Sequence, residues 1–232
     1  MRSDLPHLAF DTTGPHVALC LEGRGIHDRV TPMERGQAEH LPALCTEILD
    51  AAGLDWADLG SVSVGVGPGN FTGTRIAVSF ARGLVLGLGI PAVGVTGFEI
   101  THLGIMLPGR VLVSLPAPRD QAYVQEFADG LPLSPPILLT PGAAPEALCG
   151  PNLWVIGHRA EEIAQPFGAR SPDLDHSERH PNPAARIATV ALEKLRRAGI
   201  EGTGGWSARP APLYVRAPDA APPREAPPAL IG

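Results

Sequence analysis

The 232 residues suffice for one large domain or two small ones, each with its own core. A net charge of −6 argues against direct capture of nucleic acid, which needs a basic face to release counterions from phosphates, so any RNA link is expected to be indirect. The only lysine is Lys194, far from any glycine loop, which excludes a phosphate-binding loop ending in Gly-Lys-Ser/Thr.

The N-terminus lacks a charged segment followed by a long apolar run, so no signal peptide is expected. The uncharged stretch from Gly83 to Phe98 is broken by Pro91 and several glycines and is too short to span a bilayer, and a cytoplasmic protein without a membrane segment is expected. The odd set Cys20, Cys45 and Cys149, each among apolar neighbours, predicts buried thiols in a reducing compartment.

In chain order, Leu8-Ala9-Phe10 and Val17 to Leu21 flank the turn Asp11-Thr12-Thr13-Gly14, a hairpin pattern, and residues 25 to 31 supply a third strand. From Glu34 to Ala52 the apolar residues Ala38, Leu41, Leu44, Cys45, Ile48 and Leu49 share one helical side, opposite Arg35, Glu39, Thr46 and Asp50. Val62, Val64 and Val66 alternate with Ser61, Ser63 and Gly65, a strand whose second face is small enough for another element to pack closely. The glycine loop 67 to 73 follows, with Thr72 or Thr74 as cap of a helix to Leu88.

That helix is apolar nearly all round, with Ala77, Ala81 and Leu84 on one side and Val78, Val85 and Leu86 on much of the other. Such a helix buries two faces, one on its own sheet and one against another helix or chain. Ser79, Gly83 and Gly87 form a small-residue stripe along it. Residues 91 to 95 form a strand and 97 to 107 a helix capped by Thr96.

A second unit is expected from 108 to 216: strands at 111 to 115, 122 to 127 and 154 to 157, then helices at 159 to 167 and 183 to 198, the last capped by Asn182 with Pro183 in its first turn. The first lobe then covers 1 to 107, and the proline-rich stretch 217 to 232 is expected to be disordered.

The chemistry candidates are few. Asp11 and Thr12, joined by Gly67, Gly69, Thr72 and Gly73, read in two ways: as a phosphate pocket of backbone amides at a helix N-terminus, or as a turn whose glycines allow close packing. His176 and His180 have a zinc-like i, i+4 spacing, but Pro172 and Pro181 bracket them and favour a solvated loop. No serine sits in a Gly-x-Ser-x-Gly elbow and no cysteine has a thiol-enzyme signature.

Four segments resemble the TsaB family of accessory proteins in tRNA threonylcarbamoyladenosine synthesis: Leu8 to Thr13, Arg35-Gly36-Gln37-Ala38-Glu39-His40-Leu41-Pro42, Gly65 to Ile76 continuing to Pro91, and Pro212-Leu213-Tyr214-Val215-Arg216. The pattern departs from the family at Leu115 to Tyr123, where Pro116 and Pro118 stand in place of an Asp and an Arg. The resemblance implies an actin-like, ribonuclease-H-like α/β fold with two lobes, each a mixed sheet flanked by helices. It implies a non-catalytic scaffold with no cofactor and no metal, since the metal-binding histidines of the sister protein TsaD correspond here to His40 alone. It further implies pairing with TsaD through the two N-lobe helices, docking of the ATPase TsaE on the assembly and tRNA contact only through the complex; the apolar face of the same helices adds the expectation of a homodimer when alone. The implied contact residues are Arg35, Glu39, Leu44, Ile48, Val78, Arg82, Val85 and Leu86, with Asp11, Thr12, Gly67, Gly69, Thr72 and Gly73 a vestigial phosphate loop. The rival reading is an actin-like nucleotide hydrolase or kinase using Asp11 and the loop 67 to 73.

Overall fold

The computed structural model describes residues 5–23, 25–140, 142–172, 174, 180–199 and 208–215. Its first sheet has the order β3-β2-β1-β4-β5. Strands β1 (His7–Asp11), β2 (His16–Gly23) and β3 (Gly25–Pro32) form an antiparallel meander. Strands β4 (Ser61–Gly65) and β5 (Ala92–Val95) run parallel to β1.

The period-2 alternation sorts the two faces of this sheet. Leu8, Phe10, Val17, Leu19, Val62 and Val64 face α1 (Gln37–Ala51) and α2 (Phe71–Leu88). Ala9, Ala18 and Cys20 face α5 (Pro183–Arg197), which answers with Ala184, Ala188 and Ala191. Small residues on both sides bring helix and sheet close. The helix that the small face of β4 calls for is therefore α5, although the sequence reading set residues 183 to 198 in the second unit.

The second sheet has the order β10-β6-β7-β8, with β9 also on β7. It comprises β6 (Arg110–Pro116), β7 (Ala122–Ala128), β8 (Leu131–Pro132), β9 (Ile137–Leu139) and β10 (Leu153–Gly157). One face carries α4 (Ala160–Ala164); the other carries α3 (Gly97–His102), whose Phe98 is fully buried against Val111, Val113 and Phe127.

Several sequence readings change. The helix from 97 ends at His102, where Leu103 leaves helical geometry, rather than at 107. The cap of α2 is Asn70, not Thr72 or Thr74: its Oδ1 accepts from the amides of Thr72 and Gly73. Asn182 and Thr96 cap as expected. Cys20 and Cys45 are buried, and burial pushes the Cys20 thiol up to about 12 and Cys45 higher still, but Cys149 is exposed. His7, fully buried in β1, bonds both Ser61 Oγ (2.7 Å) and Ser63 Oγ (2.8 Å), and burial holds it down at about 4. Among the described residues no helix is long and apolar enough to cross a membrane. His176 and the stretch 217 to 232 lie outside the described residues.

Candidate functional site

The turn after β1 and the loop before α2 meet directly. Thr12 Oγ1 donates to Gly73 O at 2.6 Å, and Asn70 N donates to Thr13 O at 2.7 Å. A Cβ on Gly73 would overlap the Thr12 carbonyl oxygen, and one on Gly69 would overlap that of Thr13. The glycines are required because two backbones touch there. What faces the loop across this junction is carbonyl oxygen, the opposite polarity to the amides that hold a phosphate.

Asp11 is 3% exposed and its carboxylate is fully engaged at close range. Thr13 N donates to Oδ1 (3.3 Å), Thr13 Oγ1 to Oδ2 (3.0 Å), and His16 Nε2 lies 2.8 Å from Oδ2. A Cβ on Gly65 would strike this carboxylate, so the glycine that ends β4 makes its room. Thr12 is buried, Gly67 adopts φ 94 and is buried, and Gly69 and Thr72 are exposed. The structure packs Thr12 on Gly73 and Thr13 on Gly69, while Asp11 is held by Thr13 and His16 and Thr72 stays exposed.

The altered turn Leu115 to Tyr123 is equally self-contained. Arg119 and Asp120 adopt φ 60 and 58. Arg159 donates to Asp120 O at 3.0 Å and to Asp120 Oδ1 at 2.6 Å, while also holding Glu162. Pairing with Arg159 holds the Glu162 carboxyl below its usual range. A Cβ on Gly97 would lie 3.0 Å from Leu115 Cδ1, so Leu115 of the second sheet packs on the start of α3.

On the other side of the first lobe, α1 and α2 lie side by side with a groove of about 460 Å³ between them, lined by Ala38, Leu41, Pro42, Phe71, Ile76 and Phe80 among others. Leu86 is 78% exposed and Phe71 48%. Of the eight contact residues implied by the resemblance, Arg35, Glu39, Arg82 and Leu86 are exposed and Val85 is half-buried against the core. Leu44, Ile48 and Val78 are corrections: at 6%, 6% and 2% exposure they belong to this chain's own core and face β-strands, not solvent. The helical side on which the sequence groups Leu44 and Ile48 is the side that seals the first sheet.

The sequence reading gave residues 212 to 216 as a motif without a place in the fold; in the structure the segment 208 to 215 runs along α2. Leu213 N donates to Val66 O at 2.8 Å, and Arg82 Nε donates to Pro210 O at 2.8 Å. Arg75 Nε donates to Tyr214 Oη at 2.8 Å, with the guanidinium 3.7 Å above the Phe71 ring. The motif around Tyr214 signalled a fixed segment, but nothing in its spacing pointed to Arg75. Among the described residues no group of three or more His, Cys, Asp or Glu could hold a metal ion.

A family model described as TsaD, tRNA N6-adenosine threonylcarbamoyltransferase, matches residues 23–130. An uncharacterized protein of Mycobacterium tuberculosis is 35% identical over 223 residues, 93% of this chain and 93% of its own length. The tRNA threonylcarbamoyladenosine biosynthesis protein TsaB of Escherichia coli is 30% identical over 126 residues, 52% of this chain and 54% of its own length. The solved structure of YeaZ from Pseudomonas aeruginosa has a TM-score of 0.61 at 24% identity, covering 85% of this chain and 94% of that one. A second Pseudomonas aeruginosa structure, described as similar to peptidase YEAZ, has a TM-score of 0.59 at 22% identity, covering 91% of this chain and 99% of that one.

These neighbours match this chain in fold over most of its length, and the fold is the actin-like, ribonuclease-H-like one. With a relative matched end to end, TsaB itself matched over half the chain and YeaZ matched in fold, the chain belongs to the TsaB/YeaZ-like family.

Proposed function

We propose that this chain is an accessory, non-catalytic subunit in tRNA threonylcarbamoyladenosine biosynthesis, binding a TsaD-type transferase through the exposed sides of α1 and α2. The observation that carries the reading is the closed junction between residues 11 to 13 and 67 to 73. In this junction the amides of Asn70, Thr72 and Gly73 are bonded within the chain, the carbonyls of Thr12 and Thr13 crowd Gly73 and Gly69, and Asp11 is occupied by Thr13 and His16, which argues against a nucleotide there. The same junction instead sets the N-terminal turn of α2 rigidly on the sheet.

Family membership supports the pathway, because the Escherichia coli relative is named for it. The contact surface in this reading comprises Arg35, Glu39, Arg82, Val85 and Leu86, with Leu86 the most exposed apolar side chain of α2. TsaE docks on the pair, tRNA is reached only through it, and the free chain forms a homodimer. The first lobe, ending near residue 107, supplies the interface, and α5 braces it from behind.

The experiment is reconstitution of threonylcarbamoyl transfer to tRNA from the purified TsaD-type protein and the other subunits of the same organism. Omission of this chain is expected to cut product at least tenfold. Undiminished product without it contradicts the proposal.

A further inference from the structure

Arg75 is held in place more firmly than a surface arginine normally is. It lies in the first turns of α2, its guanidinium 3.7 Å above the Phe71 ring and 5.7 Å from the Tyr214 ring, and its Nε donates to Tyr214 Oη at 2.8 Å. The two rings sit 5.6 Å apart, each side chain about half exposed at 48%. A flexible arginine loses rotamer freedom when it binds; this one has already lost it through its contacts with Phe71 and Tyr214.

Among the described residues no carboxylate consumes the charge so fixed. Among the described residues Arg75 forms no ion pair, and its hydrogen bonding is confined to Nε, leaving the two terminal NH2 groups for a partner. Contrast Arg29, Arg110 and Arg159, each of which faces a carboxylate of its own chain. Arg75 also borders the apolar groove between α1 and α2, where Phe71, Ile76 and Phe80 meet Ala38 and Pro42. A planar cation beside an apolar trough is complementary to a helix that carries an aliphatic side chain and a carboxylate one turn apart, since guanidinium and carboxylate pair through two parallel hydrogen bonds.

We infer that Arg75, clamped by Phe71 and Tyr214, is the charged anchor of the α1–α2 groove and receives an Asp or Glu from the helix of a TsaD-type partner that fills the groove. This rests on the reading of α1 and α2 as the partner-binding surface. It adds the residues that give the contact its direction and assigns the 208 to 215 segment a role, that of holding the anchor through Tyr214. Tyr214 is a positioning residue: it acts through Arg75.

The test measures affinity between the full-length chain and the purified TsaD-type protein of the same organism by titration calorimetry, at low and high salt, for wild type and for the variants Arg75→Glu, Tyr214→Phe and Leu86→Glu, each checked for native circular dichroism and melting. The inference predicts that Arg75→Glu weakens binding at least tenfold, that Tyr214→Phe weakens it about threefold and that either change flattens the salt dependence. One Asp or Glu→Arg change on the partner's helices should restore binding to Arg75→Glu and not to Leu86→Glu. If wild type does not bind, or Leu86→Glu binds as wild type does, the underlying surface assignment fails. If Leu86→Glu abolishes binding while a folded Arg75→Glu binds as wild type does, the surface stands and the anchor is overturned. If Arg75→Glu weakens binding but no partner carboxylate reversal rescues it, pairing with a carboxylate is overturned. If inorganic phosphate competes with the partner only in the presence of Arg75, the anchor is an anion site shared with small ligands, and the protein-carboxylate assignment is likewise overturned.

Discussion

Thr12 Oγ1 donates to Gly73 O at 2.6 Å, a bond that crosses from the first turn of the chain to the first turn of α2. It ties together the two segments that the sequence also allows as a phosphate pocket. Thr12→Val keeps the shape and removes the donor, leaving the Gly73 carbonyl only its bond within the helix. The expected loss is about 1–2 kcal/mol in urea-induced unfolding, with the slope unchanged. A stability equal to wild type would mean that the junction is not held by this bond.

Two glycines in one helix should respond in opposite ways. A Cβ at Gly73 would overlap the Thr12 carbonyl, whereas a Cβ at Gly83 meets nothing within 4 Å. Gly73→Ala is expected to cost about 2–3 kcal/mol or more, from overpacking against backbone that cannot yield. Gly83→Ala should stabilise by roughly 0.5–1 kcal/mol through helix propensity alone. Thermal melts of the two variants side by side check the pair.

His7 makes stability depend on pH in a defined window. Its imidazole is neutral in the fold, held at about 4 by burial against an ordinary 6.5. The unfolded chain therefore takes up a proton before the folded one does. Full stability is present above about pH 6.5, declines as pH falls toward about 4 and levels off below; the ceiling is on the order of 3 kcal/mol. In His7→Gln, which retains hydrogen bonding to Ser61 and Ser63, the slope of unfolding free energy between pH 6.5 and 4 should be shallower by one proton. An identical slope would show that His7 does not titrate with folding.

How much of this was legible in the chain follows from which interactions are local. The alternation of Val62, Val64 and Val66 with Ser61, Ser63 and Gly65 gave β4 and its small face, and the helix caps at Thr96 and Asn182 were readable because a cap is a short-range hydrogen bond. The position of α5 was not, because its partners Ala9, Ala18 and Cys20 lie more than 160 residues earlier. Likewise the apolar sides of α1, with Leu44 and Ile48, and of α2, with Val78, mark buried faces but do not say whether sheet or partner buries them. The loop 67 to 73 was visible as a glycine loop; its closure against Thr12 and Thr13 is tertiary. Arg75 was invisible since its restraint comes from Tyr214, 139 residues away.

Burial along α2 decides which mutation best probes the surface. Val85 packs in part on the core, so a charge there threatens the fold itself. Leu86 at 78% exposure does not. Leu86→Glu is expected to leave the melting temperature within about 2 °C of wild type while abolishing co-elution with the TsaD-type protein in size-exclusion chromatography. Retained co-elution of the folded variant would move the contact off this side of α2.

The most direct measurement of a scaffold without chemistry of its own is threonylcarbamoyl transfer to tRNA in the reconstituted system, with Asp11→Asn and Leu86→Glu run in parallel. Asparagine keeps the size and can still accept from Thr13 N, but removes the buried carboxylate of this loop. The account predicts product from Asp11→Asn within about twofold of wild type, and a loss of tenfold or more with Leu86→Glu. Loss of product with a folded Asp11→Asn that still binds its partner, and normal product with Leu86→Glu, would contradict it.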